Sequence, residues 1–266
     1  MPFAGLRVLA LESRRAAEMA ELIRKQGGRP FVAPALREVP LEDNDPTFRF
    51  AERLFAGEFD MMMLLTGVGT RQLSRVLAAR YPARAFTDAL GRLAVVARGP
   101  KPVAALREMG IVPTVAAPEP NTWRELLAAT ATRPERRIAV QEYGRSNPEL
   151  LDGLRARGAE VTPVRVYQYG MPEDLEPLRE AARRLAAGEI DAALFTTAVQ
   201  IEHLARAARE QGIEEAALAA LRRCPVGSIG PTTTEALEEF GVHPAFEPSH
   251  PKMGILVREA AGRFHS

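Results

Sequence analysis

Hydrophobic residues in this chain fall into short unbroken runs separated by longer stretches with a helical period. "RVLAL" (residues 7–11) is such a run, and "AAEMAELIRKQ" (16–26) carries an amphipathic helical pattern that stops at Gly27 and Gly28. "MMMLL" (61–65) and "AALF" (192–195) are apolar throughout, as strands covered on both faces of a parallel sheet are. "LAVVA" (93–97) and "PVGSI" (225–229) predict the next strands, each turning at Gly-Pro into a helix that ends at Gly110 or Gly241. Strand and helix alternate twice over, which predicts an α/β fold of two doubly wound parallel-sheet domains.

The chain also repeats itself. "FDMMMLLTGVGTRQL" (59–73) lies over "IDAALFTTAVQIEHL" (190–204), matching Asp60 to Asp191, Thr66 to Thr197 and Leu73 to Leu204 at an offset of 191 − 60 = 131. "GPKPVAALREMGIVP" (99–113) lies over "GPTTTEALEEFGVHP" (230–244) at 230 − 99 = 131, and Arg14, Glu18 and Gly27 fall on Arg145, Glu149 and Gly158. One frame that holds Gly-Pro, Asp and Thr together predicts duplication. Two segments break the rhythm: "FVAPALREVP" (31–40) and "VTPVRVYQYGMP" (161–172) are extended, β-rich and punctuated by prolines. They read as crossings between domains that pair as a two-stranded β ribbon. The expected layout is a discontinuous first domain of residues 1–36 and 173–266, a second domain of residues 41–164, and a ribbon of 31–40 with 161–172.

Composition narrows the function. A chain of 266 residues has room for two cores, and a formal net charge of +1 lacks the basic excess that a nucleic-acid partner requires. No stretch reaches the roughly 18 apolar residues of a membrane span, so a cytoplasmic protein without membrane contact is the expectation. Lysine occurs only at Lys25, Lys101 and Lys252, and the prevalence of arginine reads as genome composition or a hot habitat. Cys224 stands alone and the four histidines lack metal-ligand spacing, so neither a disulfide nor a metal site is expected. Cys224 precedes Pro225 at the start of a buried strand and reads as a structural thiol.

The polar residues that matter follow predicted strands, where parallel sheets bind ligands and helix N-termini attract anions. They are Thr66 with Gly67 and Gly69, Thr197, and the stretch from Ser228 through Gly230 to Thr232, Thr233 and Thr234. Each threonine can equally serve as a helix cap. "TGVGTR" (66–71) lacks the lysine of a phosphate loop and the full GxGxxG of a dinucleotide fold. Residues alone leave open an enzyme acting on an anionic substrate and a two-domain protein that closes by a hinge on an anionic small molecule.

With duplicated halves, ribbon crossings, a Thr after each central strand and "SIGPTTTEALEEFGV" (228–242), the chain resembles the uroporphyrinogen-III synthase family over nearly its whole length. "ELLDGLRARGAEVTPVRVYQY" (149–169) is similar to that family's return into the crossing strand, and "DAALFTTAVQIEHL" (191–204) to its Asp, apolar strand, Phe-Thr-Ser pattern with Thr197 at the serine position. The resemblance implies flavodoxin-like domains and a monomer that needs no cofactor. It also implies a cyclising hydro-lyase of tetrapyrrole (haem) biosynthesis, closing the linear octacarboxylate hydroxymethylbilane to uroporphyrinogen III. On that reading Thr66, Gly67, Thr197, Ser228, Gly230, Thr232 and Thr233 hold substrate, and Tyr167 on the crossing strand is the acid assisting departure of the hydroxyl. Two positions depart from the family's pattern. Pro102 stands where the first copy often has a threonine, leaving Lys101 to supply the contact, and the arginine that follows the first strand is assigned to Arg14, with Arg15 beside it.

Overall fold

The computed structural model describes residues 3–40, 44–142 and 146–264, with the side chains of Pro40 and Tyr167 outside that description. The chain forms two compact units, residues 3–37 with 170–264 and residues 38–169. The first unit begins with β1 (Arg7–Ala10), α1 (Ala16–Lys25) and β2 (Arg29–Val32), after which β3 (Arg37–Pro40) leads out of it. The second contains α2 (Asp45–Phe55), β4 (Met61–Leu64), α3 (Gly67–Ala78), α4 (Ala85–Leu90), β5 (Ala94–Ala97) and α5 (Pro100–Glu108). It continues through β6 (Val115–Ala116), α6 (Trp123–Ala129), β7 (Arg137–Gln141), α7 (Pro148–Arg155) and β8 (Glu160–Val164). From there β9 (Tyr167–Gly170) leads back to the first unit, which closes with α8 (Glu176–Ala186), β10 (Ala192–Phe195), α9 (Val199–Arg209), α10 (Glu214–Arg223), β11 (Val226–Ser228), α11 (Pro231–Glu238) and α12 (Met253–Arg263).

Both main sheets are parallel, ordered β11-β10-β1-β2 in the first unit and β6-β5-β4-β7-β8 in the second. Strands β3 and β9 pair as a separate two-stranded sheet, the ribbon. Counted along the chain, the first unit's four strands run 2-1-3-4, the flavodoxin-like order. The second runs 3-2-1-4-5, which becomes 2-1-3-4-5 when counting starts at β7. The second unit is thus a circular permutation of the first, because each unit takes one half from each copy of the duplication. The helices repeat accordingly: α2 and α8 begin 176 − 45 = 131 residues apart, α5 and α11 231 − 100 = 131. The fifth strand, β6, is matched in the first unit only by an isolated bridge from Gly227 to Phe246.

Alternation along each strand feeds two cores. Leu9, Ala193 and Phe195 pack with α8, α9, α10 and α11, whereas Val8, Ala10, Ala192 and Leu194 pack with α1 and α12. In the second unit Met62 and Leu64 face α2 through α5, and Met61 and Met63 face α6 and α7. This two-sided burial explains why "MMMLL" and "AALF" show no polar position.

The extended segments behave differently along their length. Residues 31–32 and 161–164 belong to the edge strands β2 and β8, and only residues 37–40 and 167–170 form the ribbon. Prolines 30 and 163 are tolerated in β2 and β8 because an edge strand has one side without a ladder partner. The ribbon is therefore shorter than the proline-rich pattern predicts.

At the amino end of each sheet one ion pair ties the two copies together. Arg7 of β1 donates from its amide to Asp191 Oδ2 (2.7 Å) and from Nη2 to Asp191 Oδ1 (2.7 Å). Arg137 of β7 does the same to Asp60, at 3.0 Å from the amide and 2.5 Å from Nη2. The Arg137 hydrogen bonds hold the Asp60 carboxyl down to about 2, and the Arg7 side chain likewise lowers that of Asp191.

Candidate functional site

The strand order places the switch point between β1 and β10 in the first unit and between β7 and β4 in the second, and in open α/β sheets ligands bind beyond the carboxyl ends there. The residues beyond those ends are the ones of interest in each unit.

In the second unit Thr66 caps α3. Its backbone is extended, and its hydroxyl accepts from the Gly69 amide at 3.0 Å. Gly67 is buried, and a side chain there would meet the Lys101 carbonyl oxygen at 2.5 Å, because the starts of α3 and α5 approach backbone to backbone. Lys101 lies exposed in the first turn of α5, whose cap is Gly99. Pro100 and Pro102 flank it and have no N–H, so the lysine amide is the one backbone donor among the first three positions of that helix. A cavity of about 370 Å³ opens beside this helix start, lined by Gly99, Pro100, Val103, Arg107, Ala117 and Asn121 among others; no residue predicted to bind substrate is in its lining.

In the first unit Arg14 is exposed in the turn after β1, and Arg15 is paired with Glu18. Thr197 donates its amide to Gln200 Oε1 at 3.2 Å and precedes Ala198, the cap of α9. Ser228 is fully buried, its hydroxyl donating to the Gly230 carbonyl at 3.1 Å, so it shapes the turn and does not stand open to a ligand. Gly230, in extended conformation, caps α11 with no side-chain hydrogen bond. The threonines that follow are therefore first-turn residues and not caps. Thr232 is half-buried, Thr233 is buried, and Thr234 donates to Glu247 at 2.5 Å. The backbone of Tyr167 opens β9, while its side chain is outside the described residues.

Several further polar groups lie at these strand ends, outside the pattern of hydroxyls that the amino-acid sequence displays. Glu12 accepts from the Thr196 hydroxyl at 2.7 Å, and buried Glu142 accepts from Arg165 Nε at 3.2 Å and the Ser146 hydroxyl at 2.7 Å. Both end the matching stretches "RVLALE" and "RIAVQE", a frame of 142 − 12 = 130 that could have revealed them. Buried Gln141 and Gln200 bond the turns themselves. Gln200 follows Thr197 at the three-residue spacing of a capping box.

Cys224 and His203 are both engaged by their surroundings. Burial pushes the Cys224 thiol up to about 11, leaving it un-ionised and unreactive at neutral pH. His203 bonds the Ala35 carbonyl through Nδ1 at 2.7 Å, holding the segment before the ribbon against α9. Among the described residues no cluster of His, Cys, Asp or Glu suits a metal ion, and no helix is long and apolar enough to cross a membrane.

The fold defines a duplicated, doubly wound α/β protein in which each unit carries hydroxyls, amides and cations at its strand-to-helix turns. A family model described as HEM4, uroporphyrinogen-III synthase HemD, matches residues 17–258, and the chain belongs to that family. A putative uroporphyrinogen-III synthase of Methanothermobacter thermautotrophicus is 32% identical over 232 residues, 86% of this chain and 87% of the relative. The Bacillus subtilis protein YjjA, described as uncharacterised, is 32% identical over 263 residues, 97% of this chain and 95% of its own. Among solved structures, a mutant uroporphyrinogen III synthase of Thermus thermophilus superposes with a TM-score of 0.75 at 28% identity, covering 98% of this chain and 100% of that one. The wild-type Thermus enzyme in another crystal form gives 0.57 at 29% identity, covering 97% of each chain.

Proposed function

We propose that this protein is a uroporphyrinogen-III synthase, closing hydroxymethylbilane to uroporphyrinogen III with inversion of the terminal pyrrole ring and loss of water. The observation that carries this is the family match across residues 17–258, joined to a Thermus synthase fold that covers nearly the whole chain. The chemistry suits the residues present. Loss of the protonated terminal hydroxyl as water leaves a cation that the pyrrole nitrogens stabilise, and the substituted α-carbon of the far ring attacks it to give a spirocyclic intermediate. The bond from that carbon to its original methylene bridge then breaks, and the methylene cation so released recloses on the ring's free α-carbon, which gives up its proton.

No strong nucleophile is required of the protein, whose work is to fold the chain, hold its carboxylates and assist one proton transfer. In this reading Thr66, Gly67 and Lys101 in one unit, and Arg14, Thr197, Gly230 and Thr232 in the other, bind carboxylates. Ser228 and Thr233 support the α11 start from beneath. Tyr167 is the assisting acid, its phenol being a modest one with an ordinary pKa near 10. The reaction is that of a cofactor-independent hydro-lyase, carried out by a monomer in the cytoplasm.

The test supplies enzymatically generated hydroxymethylbilane, oxidises the products and separates the isomers. Type III in excess of the spontaneous type I product is the expected result. A product mixture no different from the enzyme-free control would overturn the assignment.

A further inference from the structure

The two buried glutamines bond the strand-to-helix turns from opposite scaffolds. In the second unit Gln141, the last residue of β7, accepts from the Thr66 amide at 3.3 Å and donates through Nε2 to the Glu142 carbonyl. A side chain on Gly69 would overlap the Gln141 carboxamide, so the glutamine fills the room that position 69 leaves. In the first unit the glutamine stands at the other of the two positions. The residue matching Gln141 is Leu11 (141 − 11 = 130), and the residue matching Gly69 is Gln200 (200 − 69 = 131). Gln200, from α9, accepts from the amides of Thr196 at 2.8 Å and Thr197 at 3.2 Å, and donates to the Leu11 carbonyl at 2.9 Å. Thr66 and Thr197 are themselves 131 residues apart.

Core packing does not demand a glutamine at either place, since leucine fills one in the other unit and glycine the other. What both units keep is a buried carboxamide whose oxygen holds the amide of the turn threonine. A part-buried amide that loses this acceptor is less well satisfied, so the turn would shift its geometry. We propose that Gln141 and Gln200 are positioning residues that fix the turns at Thr66 and Thr197 for substrate, setting turnover and isomer outcome more than affinity. This rests on the synthase reading above.

The experiment compares wild type, Gln141→Leu, and the double variant Gly69→Gln/Gln141→Leu, which imports the first unit's arrangement into the second. Each is assayed for kcat, KM and the ratio of type III to type I product, with thermal midpoint and amide exchange at residues 66–69 measured on the same samples. Gln141→Leu is expected to lower kcat by about ten- to a hundredfold, with KM little changed, a larger type I fraction and faster exchange at the Thr66 amide. The double variant is expected to recover both kcat and amide protection. Gln141→Glu, which keeps an acceptor oxygen, should retain more turnover than Gln141→Leu. Should Gln141→Leu not fold, Gln200→Met tests the same role in the first unit.

Wild-type enzyme that yields excess type III, together with a Gln141→Leu variant of unaltered kcat and isomer ratio, overturns the role of the glutamine alone. So does a double variant whose turn is protected again but whose turnover is not. Wild type that yields no excess of type III overturns the synthase reading and this proposal with it.

Discussion

At the amino ends of their sheets the two units carry the same ion pair, Arg7 with Asp191 and Arg137 with Asp60, built on the same atoms. At the carboxyl ends they differ. Gly67 stands where the first unit has Ala198, Lys101 and Pro102 where it has Thr232 and Thr233, and Gln141 where it has Leu11. The amino ends hold only sheet and chain, so one solution served both copies after duplication. The carboxyl ends meet different parts of an asymmetric substrate in the proposed reaction, and there each unit has its own set of donors.

The sharpest break of this comparison is at position 67. A methyl group on Gly67 must displace the Lys101 carbonyl, a backbone atom in the first turn of a helix, whereas Ala198 already carries one. Gly67→Ala is expected to destabilise the protein by about 1–3 kcal/mol through forced separation of α3 from α5. Ala198→Gly should cost at most about 1 kcal/mol, the backbone entropy of glycine. Urea midpoints measure both, and equal losses at the two positions would show that the close approach of α3 and α5 carries no special constraint.

The second comparison is between the helix starts. At α5 a single amide remains between two prolines, so on the proposed reading Lys101 binds chiefly through its ammonium charge; at α11 the Thr232 amide is present, while that of Thr233 donates to the Gly230 carbonyl at 2.9 Å. Lys101→Ala is expected to raise KM about tenfold at low salt, an effect that shrinks as ionic strength screens the charge. Thr232→Ala should raise KM less and independently of salt, because the amide survives. Thr233→Ala should appear in the thermal midpoint, since that side chain is buried. A salt-independent effect of Lys101→Ala would mean that it acts through packing.

These contrasts also mark what the amino-acid sequence discloses. The two-sided apolar runs, the glycine stops at Gly27, Gly110 and Gly241 and the offset of 131 lead to two duplicated parallel sheets and a ribbon, because burial and left-handed helix ends leave a direct imprint on residue type. The ribbon's true length was hidden, since an edge strand and a ribbon strand accept the same extended, proline-marked pattern. The threonines of "PTTTEAL" read as caps, yet Gly230 caps α11; a glycine in extended backbone has no side chain with which to announce the role. Gln141 and Gln200 leave no mark in the repeat because the equivalent bond in each unit is made from residues that do not align with each other. A repeat search registers identity at matched positions and is blind to one group supplied from two scaffolds.

The smallest expected effect tests the similarity of the amino ends. With its folded-state carboxyl at about 2, below the roughly 3.9 of a free aspartate, Asp60 adds stability that is fully present above about pH 4 and is lost as pH falls toward 2. Asp191 is depressed in the same direction by Arg7, so its contribution fades on the same side. Both pairs are partly exposed, and solvent limits each to roughly 1 kcal/mol at neutral pH. Asp60→Asn and Asp191→Asn should therefore each lower stability modestly at pH 7, and the difference from wild type should narrow as pH is taken down to 3. The double variant should lose the sum, since the pairs lie in different units and share no partner. Urea unfolding at several pH values supplies the comparison. A loss confined to one unit, or one that persists undiminished at low pH, would show that the shared geometry is not matched by a shared electrostatic role.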